Sequence, residues 1–111
     1  MGASVYRITA TGAGAVATVA TVPVGQCYRL LSVAAHFDVA PAAAGSLTVT
    51  LDAADGSDYD VLLQTASMVG LTDYVWIPDQ DVCIVGSDAI KVAYANPNSR
   101  VYGVRITLKA V

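Results

Sequence analysis

His36 is the only histidine in the chain, so proton transfer near neutral pH by an unperturbed side chain would have to run through it. One histidine, with no nucleophile or carboxylate placed beside it by sequence, does not define a triad. Its position in a predicted strand beside Phe37 leads us to expect a rim or partly buried side chain with a hydrogen-bond partner. Cys27 and Cys83 are far apart and form no C-x-x-C, which argues against zinc and dithiol redox chemistry; two free, largely buried thiols are expected. Asp52, Asp55, Asp58 and Asp60 crowd one stretch, and calcium favours such oxygen-rich loops. The spacing is not that of an EF-hand and no Glu closes it, so turn-forming aspartates on a hairpin tip are the expectation. Gly12 and Gly14 form a G-x-G, but no helix pattern follows it as a nucleotide fingerprint requires. Tyr74 and Trp76 fall on one face of an alternating segment, where they could stack on a sugar ring or join a core or subunit interface. The residues therefore predict no catalytic, cofactor-binding or metal-binding set.

The elements that would position these side chains are strands. Ser46 to Gln64 reads as a β-hairpin: Leu47, Val49 and Leu51 alternate with Ser46, Thr48 and Thr50. Asp55-Gly56 offers a tight reversal, and the chain returns through Tyr59, Val61 and Leu63. Ser4–Thr9, Ala15–Val22, Leu71–Ile77, Val82–Val85, Ala89–Ala95 and Val101–Ala110 read as further strands. Gln26–Asp38 could be a helix, but Leu31, Val33, Ala35 and Phe37 alternate, and Pro23 and Gly25 stand before it, so a long strand is predicted. Pro23-Val24-Gly25, Thr65–Gly70, Pro78–Asp81, Gly86–Asp88 and Asn96–Ser99 are the breaks. Eight or nine strands at roughly twelve-residue spacing predict an all-β fold, an antiparallel β-sandwich of jelly-roll type, in one domain over residues 1–111.

Composition narrows the function classes. All the acidic residues are Asp, lysine occurs only at Lys91 and Lys109, and the net charge is −3. Asp belongs to turns, whereas Glu and Lys populate helix surfaces. Arg7, Arg29, Arg100 and Arg105 are scattered, so nucleic acid is not an expected partner. Met1-Gly2-Ala3 leads directly into a strand-like segment, so no secretory signal is expected; nor is a membrane span, since the apolar runs are short and interrupted.

The segments VPVGQCYRLLSVAAHFD, LTVTLDAADGSDYDVLL, VWIPDQDVCIVGSDAIKVAYANP and RVYGVRITL carry a resemblance across about residues 22 to 109. So does the combination G-x-D-x-I-x-V-x-Y-x-N at Gly86, Asp88, Ile90, Val92, Tyr94 and Asn96. They resemble small β-sandwich structural proteins of tailed-bacteriophage virions, some of which act as capsid cement or decoration proteins. The resemblance implies a non-enzymatic role on the capsid surface after synthesis in the host cytoplasm. Its implied partners are the major capsid protein of the same virion and further copies of the chain. The alternative is a carbohydrate- or receptor-binding sandwich of a tail or fibre.

Only 14% of the residues are charged and 55% are hydrophobic, against about 25% charged in ordinary domains. Val16, Ala17, Val19, Ala20 and Val22 are apolar on both faces of their strand, as are Leu30 with Leu31 and Val61 with Leu62 and Leu63. Such surplus is usually covered by closed symmetric association, so a homo-oligomer is expected, with a trimer suggested by the resemblance. Val16, Val19, Val22, Tyr74 and Trp76 are the predicted interface residues.

Overall fold

The computed structural model describes residues 5–22, 25 and 27–111. Ser4 and Gln26, at two predicted strand starts, and Pro23-Val24 of the first predicted break lie outside the described residues. Among the described residues nine strands form: β1 (Val5–Gly12), β2 (Val16–Thr21), β3 (Cys27–Phe37), β4 (Ser46–Asp52), β5 (Val61–Ser67), β6 (Asp73–Trp76), β7 (Cys83–Val85), β8 (Ala89–Tyr94) and β9 (Tyr102–Ala110). One sheet runs β1-β9-β3-β6, with β7 also on β3; the other runs β2-β8-β4-β5. Every pairing is antiparallel.

β6 pairs with residues 33–36 of β3 and β7 with residues 27–29. The two short strands thus lie one after the other along one edge and act as a single interrupted strand. Counted this way, the described strands form two four-position sheets in which successive strands alternate between layers except at the β4–β5 hairpin, the jelly-roll arrangement that the sequence predicts.

Period-two side chains build the core. β2 buries Val16, Thr18 and Ala20; β8 buries Ile90, Val92 and Tyr94; β9 buries Tyr102, Val104, Ile106 and Leu108. Apart from the polar Thr18, they form one apolar cluster between the sheets with Val33, Phe37, Leu47, Val49, Met68 and Ile84. Each Val, Leu, Ile, Phe or Met among them that is fully removed from water contributes about 1.5–3 kcal/mol. Phe37 and Tyr94 meet edge to face across the layers, with centroids 5.6 Å apart and planes at 71°.

The long segment is a strand, as its alternation predicts, but with a slip. The register shifts between Leu30 and Ser32, a β-bulge that puts Leu30 into the core and leaves Leu31 as the extra residue. Val33, Ala35 and Phe37 face inward as predicted; Leu31 leaves that series. The β4–β5 connection also departs from expectation. Instead of a tight two-residue turn, residues 53–60 form a loop holding a one-turn 3-10 helix, Ser57–Tyr59. Gly56 at φ 130° supplies a conformation that other residues rarely adopt.

Candidate functional site

The G-x-D-x-I-x-V-x-Y-x-N stretch is structural throughout. Gly86 turns the chain at φ 39°. Asp88 holds two loops: Oδ1 accepts from the Ala54 amide at 2.9 Å and Oδ2 from the Val85 amide at 3.3 Å. Ile90, Val92 and Tyr94 are core. Asn96, buried and at φ 54°, donates through Nδ2 to the carbonyls of Ala13, Gly14 and Arg100 at 3.2, 2.9 and 2.9 Å. Its Oδ1 accepts from the Arg100 amide at 3.0 Å. Nearby, Asn98 Oδ1 takes the amides of Ala42 and Ala43, and Asp38 Oδ1 those of Val39 and Val101. Polar side chains at this end of the sandwich tie loops together. The G-x-G belongs to the same work. Gly14 offers its carbonyl to Asn96, and Gly12 lies under Tyr102, where an added Cβ would stand 3.1 Å from the phenol oxygen.

His36 lies on the outer face of the first sheet. It is paired in register with Asp73, and its Nδ1 donates to Asp73 Oδ1 at 2.7 Å. That bond, with a second from the Thr72 hydroxyl at 3.1 Å, holds the Asp73 carboxyl below the usual aspartate range. Both side chains are mostly in solvent. A shallow depression beside them is lined by Thr9, Thr11 and Arg105. In the register, Thr11 faces Gly103 and Gly103 faces His36, so the hydroxyl stands two strands from the imidazole, with backbones about 10 Å apart. A nucleophile must lie within hydrogen-bond reach of its base. This is an Asp-His pair with no third member among the described residues.

The other chemical candidates are likewise placed. Asp60 Oδ1 accepts from the Ala53 amide at 2.8 Å, and Asp52 faces Lys91 at 4.0 Å. Among the described residues no group of three or more histidine, cysteine or acidic side chains is arranged to hold a metal ion. Cys27 and Cys83 are free. Cys27 pairs with Val85 and Arg29 with Cys83, so the thiols are diagonal neighbours on β3 and β7. Such positions lie about 7–8 Å apart, beyond disulfide reach. The expectation that both are largely buried is corrected: Cys83 points outward from an edge strand and is exposed, and Cys27 is half-buried.

The predicted interface residues separate. Val16 and Val22 are 2% and 1% exposed. Their area is consumed by the core, and neither can offer surface to a partner. Val19 lies on the other face of β2 and is 44% exposed. Tyr74 and Trp76 pack against the core; the outward face of that segment carries Val75 and Ile77, at 62% and 66%. The outer face of the second sheet carries Ala17, Val19, Thr48, Thr50, Leu62 and Ala93 around a single Lys91–Asp52 pair. The pairing of β2, β8, β4 and β5 brings it together, and sequence alternation alone could have flagged only its separate strands.

No family model matches the chain, and no curated protein matches it. Among solved structures, a chain in the "Acidic stable capsid structure of Helicobacter pylori bacteriophage KHP30" is similar in fold, with a TM-score of 0.55 and 12% identity. The alignment covers 97% of this chain and 94% of that one. A chain in the structure of infectious bursal disease virus Gx strain aligns over 97% of this chain but 29% of its own length, with a TM-score of 0.35 and 16% identity; agreement that low carries no weight. The KHP30 similarity establishes a shared all-β sandwich fold.

Proposed function

We propose that the protein is a non-enzymatic structural component of a phage virion, a cement or decoration protein on the capsid surface. It would act by packing against the major capsid protein and against copies of itself, with three copies as the working stoichiometry. The observation that carries this reading is the fold. The KHP30 capsid chain is matched over nearly its whole length, so a chain consisting of little more than one such sandwich occurs within a capsid. Asp38, Asp60, Asp88, Asn96 and Asn98, which tie loops together, fit a mechanical role. The surface fits it too: Val19, Val61, Leu62, Val75 and Ile77 are exposed, a spread of apolar area that association would cover.

Fractionating purified particles into capsids and tails, then assaying each for the protein, tests the reading. Recovery with capsids, together with capsids that disrupt at lower temperature when the protein is missing, is expected. Recovery with tails or fibres would overturn it. The carbohydrate-binding alternative relied on a Tyr74–Trp76 platform, and those rings pack against the core.

A further inference from the structure

The arginines and lysines that look scattered in the chain converge in the fold. Of the six, Arg7, Arg29, Arg105 and Lys109 project from the outer face of the first sheet. The register sets Arg29 directly opposite Lys109, Thr9 opposite Arg105, and Arg7 opposite Thr107. Like charges facing each other across an antiparallel pair are unfavourable. Arg29 makes one loose pair with Asp81, at 3.8 Å; among the described residues Arg7, Arg105 and Lys109 have no carboxylate within 4.0 Å. A small depression opens between Arg29 and Lys109, lined also by Ala110 and Val111. Val5, in register with Lys109, and Val85 flank it and are exposed.

The complementary surface is carried by the same chain. The β4–β5 loop holds Asp55, Asp58 and Asp60, all exposed, and none is in an ion pair among the described residues. Tyr59, Val61 and Leu62 beside them are 64%, 48% and 57% exposed. Each surface therefore combines apolar side chains with a surplus of one charge, basic on the sheet face despite Asp73 and Asp81 and acidic on the loop.

We propose that the basic outer face of the first sheet docks the acidic β4–β5 loop of a second copy, with a carboxylate lodged between Arg29 and Lys109. The two patches differ, so the contact is head-to-tail, and a head-to-tail contact closes into a ring when its rotation allows. A protein partner suits the face better than a nucleic acid. Apolar residues and the carboxylates of Asp73 and Asp81 lie among the cations, and stacking of bases would need exposed aromatic rings there. The inference depends on charge and register, and holds wherever on a particle the protein sits.

The test uses light scattering coupled to size exclusion, at micromolar concentration in low and high salt. The wild type is expected to be an oligomer that weakens as salt rises. Arg105→Glu with Lys109→Glu, and separately Asp55→Lys with Asp58→Lys, should each lose the oligomer while keeping the wild-type strand content by circular dichroism. All four changes in one chain should restore it. A monomeric wild type, including one that instead retains single-stranded DNA in a salt-dependent way, would overturn the proposal. So would an oligomer indifferent to either reversal, or a fourfold variant that stays monomeric. Capsid fractionation is a separate result, so failure here and failure of the capsid reading are distinguishable.

Discussion

Asn96 Nδ2 donates to the Gly14 carbonyl at 2.9 Å and joins loops that are 82 residues apart in the chain. The β8–β9 loop is thereby held to the β1–β2 loop, one from each end of the sequence. A buried side chain making four such bonds in a left-handed backbone conformation cannot be replaced quietly. Asn96→Ala should lower stability by about 2–4 kcal/mol, through orphaned backbone groups and added backbone strain. Asn96→Gly relieves the strain but not the lost bonds, and should fall between alanine and wild type. Urea unfolding measures both; an alanine variant within about 0.5 kcal/mol of wild type would remove Asn96 as the clamp.

The β4 register gives a paired comparison. Val49 is fully buried, whereas Thr48 sits half-buried on the outer face. Val49→Asp places an unpaired charge in the core and should prevent folding, at a cost of several kcal/mol. Thr48→Asp should cost under about 1 kcal/mol. Equal thermal melts for the two would contradict the register.

Thiol chemistry should follow exposure. A thiol-specific reagent should modify Cys83 quickly in the folded protein and Cys27 more slowly, and both in denaturant. Cys83→Ser should leave stability within about 0.5 kcal/mol of wild type. If alkylation in denaturant without reductant finds both sulfurs protected, the two strands do not pair in this way.

Asp73 is the carboxylate whose titration reports on a contact. Its pKa in the folded protein lies below the ordinary value, chiefly because His36 donates a hydrogen bond to it and secondly because Thr72 does. A depressed pKa in the folded state gives a contribution present above the unfolded value, near pH 4, and lost as pH falls through the folded one. Both groups are exposed, so the effect on stability is small, and carboxyl NMR is the right probe. His36→Ala should move the Asp73 midpoint upward toward the ordinary aspartate value, and Thr72→Ala should move it up by less. An unmoved midpoint in His36→Ala would mean that the pair does not persist in solution.

Strands with one polar face were legible from sequence. Leu47, Val49, Ile90, Val92, Tyr94, Val104, Ile106 and Leu108 all point where their alternation predicts, because one buried face specifies a register. β6 was harder, since Tyr74 and Trp76 alternate with Val75 and Ile77 and both faces read as apolar; only packing against the core decides between them. Leu30 and Leu31 were ambiguous for a similar reason, and a bulge chose Leu30. The basic face was invisible because Arg29 and Lys109 are 80 positions apart, and nothing local encodes a pairing of that span. Cys83 misled because a cysteine reads as a small apolar residue whichever way its strand turns.

The neighbour of β1 is β9, and β9 also lies between β1 and β3. The strand that a ribosome makes last of the nine is therefore the one that fills the middle of the first sheet. Until Tyr102–Ala110 has emerged, β1 has no ladder to join and β3 can pair only along its other edge, with β6 and β7. Pairing across such sequence distances makes folding slow and leaves partly made chains prone to aggregate. It also delays the basic face: Arg7 and Arg29 are brought together only when Lys109 arrives between them, so an immature chain would lack the surface by which copies are proposed to recognise one another.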